Sequence, residues 1–325
     1  MSRNSRRRKD PVATFTNADE VQGDEGCNKS LIPFSSPYCM EPHRIIELME
    51  IIFEDTLESP NLQEHIQMVK GKLYEREYIS AFDGEEKRLA YASRWTPARA
   101  LSYSSLFATL APIRELLKEL ENKKKVLCVG GGAGSELVGL SSVFCRLKEY
   151  NPNSNSSLEI VIADIADWSS VVTDMTEFLK QNWLYNPAKL NTTFMNNDVL
   201  DESSILALPD FDLLTILFTT NELFSEKKSE TIKFLHRLNS QCKSGCYLLI
   251  AESAGSYSHI TVGTKTFPVQ FLIDTILLGR PGQKNGSWRL IEQSDSCWYR
   301  IDTKEINYTM KLENMRFFYR LYQKN

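Results

Sequence analysis

No run of this chain approaches the roughly 20 consecutive apolar residues that cross a bilayer, and its N-terminus has no apolar segment of the kind a secretory leader needs. The expected location is the cytoplasm, the nucleus or both, nucleolus included, with no membrane partner. Cysteine is sparse and odd in number: Cys27, Cys39, Cys128, Cys145, Cys242, Cys246 and Cys297 make seven, which suits reduced thiols rather than a disulfide framework. Cys242 and Cys246 are close in sequence, but no second Cys or His pair follows at finger-like spacing, so nothing completes a four-ligand zinc site. The four histidines, His43, His65, His236 and His259, show no ligand spacing either; no metal is expected. Excess positive charge is also missing. A net charge of −4 argues against a protein that coats nucleic acid nonspecifically and leaves any RNA contact to local basic patches.

What is present fits a folded chain: 42% hydrophobic and 25% charged residues are ordinary globular proportions. Residues 1–40, rich in Ser, Asn, Asp, Gly and Pro, are expected to be a disordered basic and polar tail. Its cluster Arg6, Arg7, Arg8 and Lys9 reads as a nuclear address, a phosphate contact or a merely solvated terminus. Residues 41–120 are expected to form a helical N-terminal extension of three helices. The first opens at Pro42 with Ile45, Ile46, Met49, Ile52 and Phe53 on one face, the second carries Leu62, Ile66, Val69 and Leu73, and the third begins with Pro97 and runs towards Leu116, Leu117 and Leu120.

The remainder, 121–325, reads as an α/β domain. Short apolar runs at 126–129, 160–163, 193–195, 213–218 and 247–251 alternate with helix-compatible segments, the pattern of a mainly parallel sheet covered by helices on both faces. After Gly286, clusters around Trp288, Trp298 and Phe317 read as closing strands, possible antiparallel partners of one another.

The first of these strands runs directly into Gly130, Gly132 and Gly134, a G-x-G-x-G turn that lets a ligand approach the backbone at the start of a helix. A dinucleotide fingerprint requires G-x-G-x-x-G, and here the sixth position is Ser135 from Gly130 or Leu137 from Gly132, so the NAD reading fails on spacing. Asp164 ends the second strand, where a carboxylate can accept both ribose hydroxyls of a nucleoside; Asp198 follows the third, where an adenine amino group can be read. This series suits S-adenosylmethionine. Each acid can instead be a helix cap.

The fourth strand ends in Phe218, Thr219, Thr220, Asn221 and Glu222, at the carboxyl edge that faces the ligand crevice. Phe218 and Thr219 are expected beside the cofactor, with Asn221 and Glu222 as catalytic candidates and Glu222 as general base. The Asn-Pro-Pro-Tyr or Asp-Pro-Pro-Tyr segment of amino-directed nucleic-acid methyltransferases is lacking, and so is a cysteine nucleophile for carbon-5 chemistry. Arg94, Trp95 and Arg99, arginines around an aromatic, are candidate RNA contacts, or else a packed helix with surface ion pairs.

Several blocks together resemble the fungal large-subunit (25S) ribosomal RNA uridine-N3 methyltransferases. They are Leu73-Tyr74-Glu75-Arg76-Glu77-Tyr78 with Ala81-Phe82, Tyr91 through Leu101, Phe218 through Phe224, Gly255-Ser256-Tyr257-Ser258 and Leu312-Glu313-Asn314-Met315-Arg316. The resemblance spans roughly residues 70 to 320. It implies a Rossmann-like class I methyltransferase with a seven-stranded sheet, S-adenosylmethionine as donor, and a uridine nitrogen of large-subunit ribosomal RNA or a pre-ribosomal particle as acceptor. One departure is Cys128, which stands where similar enzymes often carry an acid two residues before the first glycine. The residues alone leave open a noncatalytic cofactor-binding assembly factor or sensor, and a methyltransferase for a protein or small-molecule acceptor.

Overall fold

A computed structural model describes residues 30–119, 121–149, 154–202, 204, 206–255, 259–262, 265–280 and 286–325. The basic cluster Arg6 to Lys9 and the block Ser256-Tyr257-Ser258 lie outside the described residues.

The main sheet is assembled from β1 (Ser30–Ile32), β2 (Lys124–Val129), β3 (Leu158–Asp164), β4 (Leu190–Asn196), β5 (Leu213–Leu217), β6 (Tyr247–Ser253), β9 (Trp288–Tyr299) and β10 (Met315–Lys324). Their order is β1-β9-β10-β6-β5-β2-β3-β4. Strands β2 to β6 are mutually parallel, and β10 enters antiparallel between β6 and β9. A separate hairpin is formed by β7 (His259–Val262) and β8 (Lys265–Pro268). The order reverses between β2 and β5, so the crevice at their carboxyl ends is where an open α/β sheet binds ligand.

The sheet has eight strands and is mixed, a correction to the expected seven. The additional strand is β1, which pairs in parallel with the last residues of β9, Leu31 opposite Trp298. Ordered structure thus begins before residue 40. Ile32, Cys39 and Met40 are buried, Tyr299 Oη donates to Phe34 O at 3.1 Å, and Met40 N–H donates to Ser142 Oγ at 2.9 Å. The few apolar residues of this segment are the ones that dock, which its polar composition obscured.

Among the described residues six helices precede β2: α1 (Pro42–Ile52), α2 (Glu54–Glu58), α3 (Leu62–Tyr74), α4 (Tyr78–Ala81), α5 (Glu85–Thr109) and α6 (Ala111–Lys118). The expected third helix starts well before Pro97, which sits inside α5. A proline there leaves the carbonyl four residues back without its donor. That carbonyl is Ser93 O, and Tyr308 Oη donates to it at 2.7 Å, so the helix stays continuous with a borrowed donor.

On the sheet, α7 (Ser135–Glu149) and α8 (Ser169–Asn182) share one face with α1 and α5 in one large hydrophobic cluster. The other face is covered by α9 (Thr220–Glu226), α10 (Lys228–Gln241) and α11 (Val269–Leu278). Gly139 allows α7 to lie against α5: a Cβ there would stand 3.1 Å from Phe107, Tyr103 and the Ser104 backbone nitrogen. The N-terminal helices are therefore built into the catalytic layer. Cys39, Cys128, Cys145, Cys242, Cys246 and Cys297 are all buried. No helix of the described residues is long and apolar enough to cross a membrane, and among them no group of three His, Cys, Asp or Glu is placed to hold a metal ion.

Candidate active site

The glycine turn leaves β2 with Gly130 at φ +68° and re-enters the helix through Gly134 at φ +81°, conformations that an L side chain resists. The turn is pulled tightly into its surroundings. A Cβ on Gly130 would overlap Thr219 and one on Gly134 would overlap Met175, while at Gly132 it would overlap the Trp168 ring and stand 2.6 Å from Asp164 Oδ2. Thr96 Oγ1 of α5 donates to Ala133 O at 3.0 Å, so the helical extension grips the turn directly.

These elements enclose a cavity of about 560 Å³ at the carboxyl edge of the sheet, a size suited to a nucleoside-bearing ligand. Six carboxylic residues, Glu136, Asp164, Asp198, Glu222, Glu226 and Glu252, line it against two cations, Arg99 and Lys227. Such a wall attracts cationic ligands and repels phosphate chains. One side is aromatic: Trp168 lies 5.2 Å from Phe82 and 5.8 Å from Tyr91, ring centre to ring centre.

Asp164 is held by the backbone, accepting from Gly132 N–H at 3.1 Å on Oδ2 and from Ala166 N–H at 3.0 Å on Oδ1. Burial nevertheless raises its carboxyl above the ordinary range. Asp198 also lines the cavity, but its oxygens are engaged by Leu200 N–H at 2.9 Å, in a local turn that no helix directly follows, and by Lys227 Nζ at 2.6 Å. Phe218 leaves β5 in the left-handed region at φ +59°, turning its ring towards Tyr103 at 6.2 Å and Phe317 at 6.0 Å. Thr219 closes against Gly130, and Glu222 faces the cavity from α9. Burial pushes the Glu222 carboxyl up to about 8, with Asp164, Glu226 and Glu252 adding to the effect.

Arg94, Trp95 and Arg99 do not form one outward patch. Arg94 donates to Lys311 O at 2.8 Å and pairs with Glu313 at 2.5 Å. Arg99 turns inward, lines the cavity, donates to Tyr91 Oη, and lies 5.6 Å from the Phe218 ring centre. Trp95 packs on Tyr91 at 5.0 Å. The physical reason is helical: residues five apart stand roughly 140° apart around the axis.

Three cavity acids, Glu136, Glu226 and Glu252, escaped the sequence reading. Glu252, the penultimate residue of β6, accepts from Asn221 N–H at 3.0 Å and Ser253 N–H at 2.8 Å, so it positions the start of α9. Its signal was available, since it follows an apolar strand at the same carboxyl edge as Asp164. Glu136, in the first turn of α7, is 3% exposed and its Oε1 has no hydrogen-bond partner. Burial raises it to about 8 despite Arg99. It lies beside Cys128, as the shared neighbourhood of Gly131 shows: a Cβ on Gly131 would stand 2.9 Å from Cys128 Cβ and 3.6 Å from Glu136 Cδ. A buried acid thus stands beside Cys128, contributed by α7 rather than by β2.

The residues fit S-adenosylmethionine on these grounds: a cradle that any side chain on Gly132 would fill, a backbone-held acid for the ribose, and an orphaned buried carboxylate for an ammonium group. Comparison with known proteins agrees. Residues 49–323 match the family described as "Putative SAM-dependent methyltransferase". A Saccharomyces cerevisiae protein, 25S rRNA (uridine(2843)-N(3))-methyltransferase, is 45% identical over 90% of this chain and 88% of its own length.

Among solved structures, the N-methyltransferase NodS of Bradyrhizobium japonicum WM9, in complex with S-adenosyl-L-homocysteine, is 12% identical. The match covers 62% of this chain and 78% of that one, with a TM-score of 0.34. An S-adenosylmethionine-dependent methyltransferase from Clostridium acetobutylicum is 12% identical over 69% and 91% of the two chains, with a TM-score of 0.38. Matched across nearly all of its described length, the chain belongs to this S-adenosylmethionine-dependent methyltransferase family.

Proposed function

We propose that this protein methylates N3 of a uridine in large-subunit ribosomal RNA. The observation that carries the reading is the 45% identity, spread over 90% of the chain, to a yeast enzyme whose name specifies that atom. Uridine N3 lies on the pairing edge, so the acceptor must be an unpaired, unstacked base. An acid-rich cavity suits this mode of entry, because the neutral base can enter while its phosphates stay outside.

S-adenosylmethionine supplies the electrophilic methyl group when bound. Asp164 would hold the ribose hydroxyls and Glu136 the α-ammonium, and the glycine turn would let the backbone lie close against the cofactor. Asp198 borders the adenine end. At the acceptor end Glu222 would receive the N3 proton on Oε, the N–H bond pair staying on nitrogen as the nucleophile for the methyl group that the bound donor would supply. A base that titrates near the working pH is well matched to this task. Arg99 supplies positive charge facing the pyrimidine as it loses its proton, and Glu252 fixes the start of α9 through the Asn221 amide. Holding base and methyl donor in line contributes about 7–11 kcal/mol, more than the proton transfer itself.

The direct test is nucleoside mass spectrometry of large-subunit ribosomal RNA from cells with and without the protein. A loss of 3-methyluridine that only the intact protein restores is the expected result; an unchanged level refutes the assignment.

The Glu136 role has its own signature. Glu136→Gln is expected to weaken S-adenosylhomocysteine binding about 10-fold or more, the scale of one charge-assisted hydrogen bond. Binding of 5′-methylthioadenosine, which lacks the amino-acid end, should be unaltered in calorimetry. The same variant should stabilise the empty protein at pH 8. The folded carboxyl titrates near 8 and an unfolded glutamate near 4.3, so wild-type stability from this group is full below about 4.3 and is lost as pH rises through 8, by a few kcal/mol. Equal losses for both ligands would reject the ammonium contact.

A further inference from the structure

Trp298, the penultimate residue of β9, is half-buried and packs into none of the hydrophobic clusters of the described residues. Its ring instead carries two guanidinium groups, Arg300 at 4.7 Å and Arg316 at 5.7 Å from the ring centre. Both arginines are exposed. Arg316 Nε donates to Ser296 Oγ at 2.9 Å, and among the described residues neither arginine has a carboxylate within 4.0 Å. Two like charges held against one ring without a counter-ion make a standing demand for an anion.

The place of this cluster is fixed by strand register. Arg316 pairs with Trp298, and Phe318, two residues along β10, pairs with Glu252 of β6. Alternation along β10 therefore puts Trp298, Arg316 and Glu252 on one face of the sheet. Ala254 N–H, two residues past Glu252, donates to Arg316 O at 3.3 Å. Two strand spacings of about 4.8 Å separate β6 from β9, so the cluster lies on the order of 10 Å from the cavity wall. Leu31 of β1, paired with Trp298, is 64% exposed and extends the apolar surface beside it. Arg94 secures the approach to β10 by holding Lys311 O and Glu313.

Charge is thus divided along one edge of the sheet, with a carboxylate-lined cavity beside an unneutralised cationic and aromatic cluster. We propose that Trp298, Arg300 and Arg316 form a docking platform for single-stranded RNA next to the reacting nucleotide. The arginines meet phosphates, and Trp298 and the guanidinium planes offer stacking surfaces to a flanking base. The proposal rests on the RNA acceptor proposed above. It divides labour between an edge that holds the backbone and a cavity that admits a single base.

The test measures binding of refolded, unmethylated large-subunit ribosomal RNA across a salt series, with S-adenosylhomocysteine affinity followed in the same preparations. Arg300→Gln combined with Arg316→Gln should weaken RNA binding roughly 10-fold and flatten the slope of log affinity against log salt by about 1.4, near 0.7 for each single-strand phosphate contact. Trp298→Ala should cost roughly 10-fold, with partial recovery in Trp298→Phe. Cofactor affinity should be unaltered in all three.

If the double variant binds RNA with wild-type affinity and slope while the wild type binds well, the platform is refuted and the RNA acceptor stands. Should the wild type itself show no salt-dependent binding, the RNA acceptor fails and takes the platform with it.

Discussion

Gly132→Asp should abolish S-adenosylhomocysteine binding, by at least about 100-fold, while the protein remains folded. Any Cβ at this position overlaps Trp168 and crowds Asp164 Oδ2, and aspartate adds a second negative charge beside an acid already strained by burial. Overpacking alone costs about 1–3 kcal/mol, and two unpaired carboxylates in one pocket oppose each other further; together these reach the 2.7 kcal/mol that a 100-fold loss represents. Calorimetry measures the affinity and the melting transition reports the fold. A useful companion is Gly71→Ala in α3, where an added Cβ meets nothing within 4 Å. That variant should gain roughly 0.5–1 kcal/mol of stability and bind cofactor as the wild type does. Wild-type affinity in folded Gly132→Asp would detach the glycine turn from cofactor binding.

The second large effect belongs to Glu222. Glu222→Gln should lower the single-turnover methylation rate by about 10²–10³-fold at pH 8, the range expected for a positioned base. The pH profile gives a sharper diagnosis than the rate. A base works only when deprotonated, and Glu222 titrates near 8. The wild-type rate should therefore climb about tenfold per pH unit below 8 and level off above it, a rise that the glutamine variant lacks. A glutamine variant that keeps the full rate and the same profile assigns proton removal to another group. Burial does most to raise this titration, and the neighbouring Asp164, Glu226 and Glu252 add to it, so Glu226→Gln should move the inflection downward without removing it.

How much of this was visible in the sequence depended on whether a signal was local. Gly130, Gly132 and Gly134 after an apolar run announce a strand, a turn and a helix because each condition is met within a dozen residues. Asp164 and Glu222 were readable as acids at strand ends. Glu136 was not, because nothing in a first-turn glutamate reveals that one oxygen will be buried without a partner; that depends on α5 and β3 closing over it. Arg99 was placed outside because proximity to Arg94 in sequence was read as proximity in space. The helix turns them apart. Local rules favour Pro97 as a helix start, and what overrides those rules is Tyr308, more than two hundred residues away, donating to Ser93 O.

The position of β10 bears on how the molecule comes into being. Among the described strands it is the last to be synthesised, yet it lies inside the sheet between β6 and β9, and Phe317, Phe318, Leu321 and Tyr322 along it are all buried. Until those residues emerge from the ribosome, β6 is an open edge, and β9, with β1 beside it, has no hydrogen-bonded route to the rest of the sheet. The nascent chain must therefore hold its cofactor-binding half together by the parallel strands and the helices packed on them, and the segment of β9 that carries Trp298 is joined to the cavity only when translation has passed residue 324.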